Sequence, residues 1–77
     1  MYKFDLRETI ISFSMLQITN AFNKMKSGEV MEIIGCDQSI PKELEYILPE
    51  SEYEIFYNEI LDPGGSDFRM KLRKIKP

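Results

Sequence analysis

The sequence predicts an α/β (α+β) two-layer sandwich of order β-α-β-α-β-β, in which a four-stranded mixed sheet carries two helices on one face. Two observations support this prediction. Four short stretches of strand-forming residues, alternating or largely apolar, are distributed along the 77 residues. Two segments with apolar residues at helical spacing separate the first three stretches. No linker or repeat interrupts the pattern, so residues 1–77 are expected to form a single domain.

The first strand is predicted over residues 2–6, where aromatic or aliphatic residues alternate with charged ones. We place the start of the first helix at Ser14, because Ser14 and Gln17 match a capping box. The helix is expected to end at Ser27–Gly28, after about three turns. Its core-facing side is predicted from the apolar residues at helical spacing, which are Met15, Ile18, Phe22 and Met25.

The next two elements are a strand over residues 29–35 and a short helix within residues 37–48. The strand is expected to be more buried than the first, because most of its residues are apolar. In the helix, Ser39 is expected to be the N-cap and Pro41 to lie in the first turn. Pro49 ends the helix, because proline has no N–H to continue the hydrogen-bond ladder.

The last two strands are expected at residues 53–57 and 68–73. The second of them alternates strictly between apolar and basic residues, which is typical of a strand with one buried face. Between the two strands, Asp62-Pro63-Gly64-Gly65 has the composition of a tight turn.

The two helix N-termini are expected at the same edge of the sheet. A right-handed crossover makes the first two strands parallel, so their carboxyl ends bring residues 8–14 and 35–39 together. A helix N-terminus offers free N–H groups and a positive partial charge, which favour anions and thiolates. We therefore expect a functional site at this edge.

The composition excludes most catalytic chemistry. The chain has no histidine and a single cysteine, which excludes an imidazole base, a His-based zinc site and an internal disulfide. No cofactor and no metal is expected. The net charge of −3 argues against nucleic acid as a partner. No apolar run approaches the roughly 18 residues that span a bilayer, so no membrane contact is expected. A lone cysteine fits a reducing compartment, and we expect a cytoplasmic protein.

Several segments together carry a family resemblance. Residues 4–7 end the first strand, residues 26–30 lead into the second, residues 33–37 end it, and residues 68–74 form the last strand. At this spacing they resemble the TusA/SirA-like family of small bacterial sulfur-transfer proteins, over roughly residues 3–74. The resemblance implies the same β-α-β-α-β-β sandwich.

The family's hallmark, Cys-Pro-x-Pro at the start of the first helix, falls on Ile11, Ser12, Phe13 and Ser14. In the family this cysteine carries a persulfide from a cysteine desulfurase to an acceptor. Here the cysteine and both prolines are replaced. The resemblance therefore implies a degenerate member that is a non-catalytic protein-binding or regulatory domain linked to sulfur-transfer pathways. The implied partner is a cysteine desulfurase or another sulfur-relay protein.

Two hypotheses for the site follow. In the first, apolar side chains replace the reactive cysteine in a partner-binding edge made of Glu8, Ile10, Ile11, Phe13, Asp37 and Ser39. In the second, Cys36 is a relocated acceptor thiol, and the chain is an active persulfide carrier of the sulfurtransferase type. The simpler interpretation of Cys36 is packing at a strand end. Ser12 and Ser14 are interpreted as helix-capping residues, because no lysine base is near them in sequence.

Charge is segregated along the chain. Seven acids and no base lie between Glu43 and Asp62, and five bases and no acid lie between Arg69 and Lys76. The first interpretation is cross-strand pairing of Glu52 and Glu54 with Arg69, Lys71 or Arg73 on the solvent face of a hairpin. The second is electrostatic docking to a partner protein, and the third, RNA binding, is opposed by the net charge. A monomer or a weak homodimer is expected.

Overall fold

The computed structural model describes residues 2–7, 10–37 and 39–76, apart from the side chain of Ile11. Glu8, which was placed in the partner-binding edge, lies outside the described residues. A short 3₁₀ helix at Glu50–Glu52 precedes the third strand. The main elements in chain order are β1 (Tyr2–Asp5), α1 (Ile11–Lys24), β2 (Val30–Gly35), α2 (Ser39–Ile47), β3 (Tyr53–Ile60) and β4 (Phe68–Lys74). This order confirms the predicted fold class.

The four strands form one mixed sheet of order β1-β2-β4-β3. β1 runs parallel to β2, with Phe4 beside Ile33, as the crossover argument predicts. β4 runs antiparallel to both of its neighbours, so that Met70 pairs with Ile33 on one side and Asn58 on the other. The parallel pairing places the carboxyl ends of β1 and β2 at the same edge.

The hydrophobic core lies between the helices and one face of the sheet, which we call the helix face. In β4 the residues of this face are Phe68, Met70 and Leu72, all buried, whereas Arg69 and Lys71 point to the opposite, open face. This alternation follows from the period of two along a strand. The four apolar residues predicted for the core side of α1 are all buried, namely Met15, Ile18, Phe22 and Met25.

Helix α1 begins one turn earlier than the capping motif predicts. The helix starts at Ile11, and Ile10 precedes it without a side-chain cap. Ser14 is buried inside the first turn, where its N–H donates to the Ile10 carbonyl at 3.0 Å. The position of Ser14 next to Met15 on the buried stripe explains the error, because a buried side chain inside the helix cannot cap its start. Ser12 is exposed and also lies inside the helix.

Lys74 lies apart from the partly exposed bases that precede it in β4, which are Arg69, Lys71 and Arg73. It is only 4% exposed and points to the helix face, two residues beyond Leu72. Its Nζ donates a hydrogen bond of 2.7 Å to the carbonyl of Phe22 in the last turn of α1. The last carbonyls of a helix lack partners within the helix, so a cation is well placed there. Lys74 thus joins β4 to the end of α1.

Two turns require glycine. Gly64 has φ +87° in the predicted Asp62–Gly65 turn, and the N–H of Gly65 donates to the Asp62 carbonyl at 2.8 Å. Gly28 has φ +91° in the turn between α1 and β2, where the N–H of Glu29 donates to the carbonyl of Lys26 at 3.0 Å. Positive φ at the third residue of a turn is the conformation that favours glycine.

Replacing Gly28 with alanine is expected to lower the free energy of unfolding by about 1–2 kcal/mol. A Cβ atom at this position would meet no heavy atom within 4 Å, so the loss comes from the left-handed backbone conformation alone. Gly28→Asn is the matched variant and is expected to lose less, because asparagine tolerates this conformation better. Urea denaturation followed by circular dichroism measures both losses, and an alanine variant as stable as the parent chain would contradict the assignment.

Candidate functional site

The predicted edge is formed where β1 and β2 end. The N–H of Leu6 donates to the Ile34 carbonyl at 2.7 Å, which extends the parallel pairing past Asp5. The Cys36 thiol lies 3.9 Å from the carbonyl oxygen of Arg7, so the segment after β2 contacts the segment after β1. The structure therefore brings the segments that directly follow β1 and β2 together at this edge.

Polar contacts tie the edge to the rest of the fold. The Arg7 guanidinium forms a 2.7 Å ion pair with Asp5 and lies 3.9 Å from Asp67 in the β3–β4 loop. Hydrogen bonds from the Arg7 side chain and backbone hold the pKa of the Asp5 carboxyl below its ordinary value. From the same loop, the Ser66 hydroxyl donates to the Cys36 carbonyl at 2.9 Å. Three loops are thus held together at one end of the sheet.

An apolar patch lies next to this edge at the start of α1. Ile10 is 74% exposed, Phe13 59% and Leu16 57%. Phe13 and Leu16 are three residues apart on the side of the helix away from the buried stripe, and Ile10 directly precedes the first turn. We call these three residues the α1 patch. Ile10 and Phe13 were predicted as partner-binding residues, and the side chain of the third, Ile11, lies outside the described residues.

Leu16 was missed by the sequence interpretation. Its signal was available, because Leu16 follows Phe13 by three residues on the side of the helix away from Met15 and Ile18. The incorrect start of the helix at Ser14 hid this signal, since it left Phe13 outside the predicted helix.

Asp37 and Ser39 lie at the start of α2 and contact each other. Ser39 was expected to be the N-cap, but it is the first residue inside the helix. The Asp37 carboxylate accepts a hydrogen bond of 2.9 Å from the Ser39 N–H instead. The Ser39 backbone and side chain together hold the pKa of Asp37 below its ordinary value. Asp37 satisfies a free donor of the first turn, which is a capping function.

Cys36 is half-buried, so its thiol is neither sealed in the core nor fully exposed. Its place at the edge agrees with the sequence interpretation. Its role as a relocated acceptor thiol stays a prediction, as does the simpler role in packing. Four of the methionines, Met15, Met25, Met31 and Met70, are buried in the core.

The open face of the sheet carries paired charges. Glu32 is buried at its centre, with Arg69 at 3.7 Å and Lys71 at 3.9 Å. Towards β3, Arg73 pairs with Glu54 at 3.0 Å, which confirms the predicted cross-strand pairing for this acid. Glu52 does not pair in this way, because it lies in the 3₁₀ helix and its carbonyl accepts from the Ile75 N–H.

Aromatic rings of β3 extend the open face. Lys71 lies 4.9 Å from the centre of the Tyr57 ring, and Arg73 lies 4.5 Å from that of Phe56. A shallow depression of about 400 Å³ lies between Glu29, Val30, Phe56 and Lys71. Two of these lining residues already have partners within the chain, since Phe56 contacts Arg73 and Lys71 contacts Tyr57.

Within residues 2–7, 10–37 and 39–76, no group of three or more Cys, Asp or Glu residues is arranged to hold a metal ion. No helix of the described chain is long and apolar enough to cross a membrane.

Neither the family models nor the curated proteins contain a match to this chain. The resemblance to the TusA/SirA-like family therefore stays a prediction, which rests on the sequence segments and is compatible with the observed order of elements.

Proposed function

We propose that this chain is a non-catalytic protein-binding domain of TusA/SirA-like type, degenerate at the carrier-cysteine site, and that the α1 patch is its main contact surface. The observation that carries the proposal is the exposure of Ile10, Phe13 and Leu16, each more than half accessible, at the start of one helix. Phe13 falls on the third position of the family's Cys-Pro-x-Pro motif, so the patch overlaps the segment in which the family carries its reactive cysteine.

The energetic argument concerns exposed apolar area in a small domain. A domain of 77 residues buries a smaller fraction of its surface than a larger domain does, and its large apolar side chains are needed in the core. Leaving three of them in water forgoes about 1.5–3 kcal/mol for each side chain that a partner fully buries. A compact apolar cluster with an aromatic residue at its centre is typical of the region that dominates binding energy.

The scaffold supports this use of the patch. The patch lies on the first turns of a four-turn helix whose opposite side is packed in the core, so its side chains are presented at fixed spacing. The adjacent loops are held by Arg7 and Ser66. Contact residues on a rigid element lose less conformational freedom on binding than residues on a loop. The partner class, a cysteine desulfurase or another sulfur-relay protein, comes from the family resemblance.

Replacing Phe13 with aspartate is expected to weaken binding to a purified cysteine desulfurase by at least about tenfold, because a charge replaces the central apolar contact. Tyr46→Asp is the matched control, since Tyr46 is an aromatic residue that is 89% exposed on α2. Biolayer interferometry measures the affinities, and thermal melts establish that both variants keep the fold. Equal binding by the Phe13 variant and the parent chain would contradict the proposal.

The same protein mixture distinguishes the carrier alternative. After incubation with the desulfurase and cysteine, intact mass spectrometry reports whether one sulfur atom is added to the chain. Under the proposal the mass stays unchanged. A stable addition to the parent chain that is absent from Cys36→Ser would instead identify Cys36 as a persulfide carrier.

A further inference from the structure

Strand β3 lies at the edge of the sheet. Within the described part of the chain it pairs with β4 on one side only. Alternate residues of such a strand direct their N–H and C=O groups away from the sheet, which is a template for another strand. Proteins commonly protect an edge with lysine or proline, and β3 contains neither. With eight residues, it is the longest of the four strands.

The helix face of β3 extends beyond the cover of the helices. Ile55 is 47% exposed and Ile60 is 67% exposed. Their neighbours across the ladder, Leu72 and Phe68, are buried under the helices. The helix face of β3 therefore carries two isoleucines that reach past the core into water, one on each side of Asn58. One more strand beside β3 would place its own side chains next to these two isoleucines and remove part of their apolar surface from water.

The open face of β3 is acidic at its outer margin. Glu54 and Glu59 point to this face, while the bases that pair with them, Arg73 and Arg69, lie on the inner strand β4. Residues 43–62, which include all of β3, contain seven acids and no base. A strand that pairs with β3 therefore meets carboxylates in the cross-strand positions, where lysine and arginine are favoured.

The start of β3 also has acidic groups near it. Burial, together with the negative charges of Glu45 and Glu50, raises the pKa of Tyr53. These two acids thus lie close to the first residue of β3 from α2 and from the 3₁₀ helix. Acidic groups therefore lie near Tyr53 as well as on the open face of β3, which favours a cationic partner.

We propose that the free edge of β3 is a docking site for an extended basic peptide segment in which apolar residues alternate with lysine or arginine. The apolar side chains of the segment would pack beside Ile55 and Ile60, and its bases would lie beside Glu54 and Glu59. The β-bulge at Phe56 interrupts the regular ladder, but the order of acid then isoleucine is the same on both sides of it. The two halves of the strand thus select the same alternation.

A second copy of this chain is the less suitable occupant. Antiparallel pairing of two β3 strands about a centre between Phe56 and Tyr57 places Glu54 opposite Glu59 in both halves. Like charges directly opposite each other destabilise a strand pair. A basic segment makes the same backbone hydrogen bonds and replaces this repulsion with attraction.

The test uses the whole chain and two synthetic peptides of about eight residues, the length of β3. One peptide alternates lysine with valine, and the other alternates glutamate with valine. We expect the lysine peptide to bind at least about tenfold more tightly, to shift the amide NMR signals of β3, and to bind less tightly at higher salt. Equal affinity of the two peptides, or shifts confined to α1, would overturn the proposal.

Ile60→Lys is expected to raise the Kd of the lysine peptide by at least about tenfold, because it removes an apolar contact and repels the bases. Leu16→Lys is the matched control, since it places the same charge on the α1 patch and should leave peptide binding unchanged. Ile55→Lys is a second variant in case the first one fails to fold. Because the desulfurase test depends on α1 and this test on β3, either proposal can fail alone. Self-association of the parent chain that Ile60→Lys abolishes would overturn the proposal in favour of a second copy.

Discussion

Replacing Phe22 with alanine is expected to lower the free energy of unfolding by about 3–5 kcal/mol. Phe22 is fully buried, and its ring meets Tyr53 edge-on at 5.9 Å between centroids. The Nζ of Lys74 lies 4.5 Å from the centre of the same ring. Truncation to alanine therefore opens a cavity and removes both contacts at once.

The loss is large relative to the whole domain. At about 0.05–0.15 kcal/mol per residue, a chain of 77 residues has a stability on the order of 4–12 kcal/mol. The alanine variant is thus expected to be partly unfolded in water at the lower end of this range. Phe22→Leu is the matched variant and should lose less, because it keeps most of the side-chain volume. Urea denaturation measures both, and a parent-like midpoint for Phe22→Ala would contradict the central place of this ring.

Replacing Lys74 with alanine is expected to cost about 2–4 kcal/mol, and with methionine about 1–2 kcal/mol. Methionine keeps the aliphatic stem but loses the charged hydrogen bond to the Phe22 carbonyl, 2.7 Å in length. That carbonyl keeps a second bond from the Met25 N–H, so it is not left without a partner. Alanine also removes the packing of the stem.

Lys71→Met is the control for the charge effect. It is the same substitution in the same strand, but Lys71 points to the open face and is partly exposed. Its loss is expected to be within about 1 kcal/mol. Denaturant unfolding compares the variants, and hydrogen exchange at the end of α1 should accelerate for Lys74→Met alone. A methionine variant at position 74 that is as stable as the parent would mean that burial of the ammonium costs as much as its contacts contribute.

The elements with a strong local pattern were predictable from the sequence. The alternation in residues 68–73 predicts β4, and the strand extends only one residue further, to Lys74. The turn at Asp62–Gly65 follows from the chemistry of proline and glycine. The parallel arrangement of β1 and β2, and with it the position of the edge, follows from the rule for crossovers.

The errors arose where tertiary packing outweighed a local signal. Ser14 matches a capping motif, but packing of the helix against the sheet places it on the buried stripe. β3 was predicted to end at Tyr57 and continues to Ile60, because the bulge at Phe56 breaks the alternation that marks a strand. Lys74 lies just beyond the strand predicted at residues 68–73, and only the position of the end of α1 gives it a buried partner.

The position of β4 in the sheet has a consequence for synthesis. β4 follows all the other elements along the chain, yet it lies between β2 and β3 and pairs with both. Until residues 68–74 have left the ribosome, β3 has no partner strand in the sheet and β2 pairs only with β1. Synthesis proceeds at roughly 5–20 residues per second. During this time Met31 and Ile33 lack their cross-strand neighbours Leu72 and Met70. Closure of the sheet therefore follows the synthesis of residues 68–74.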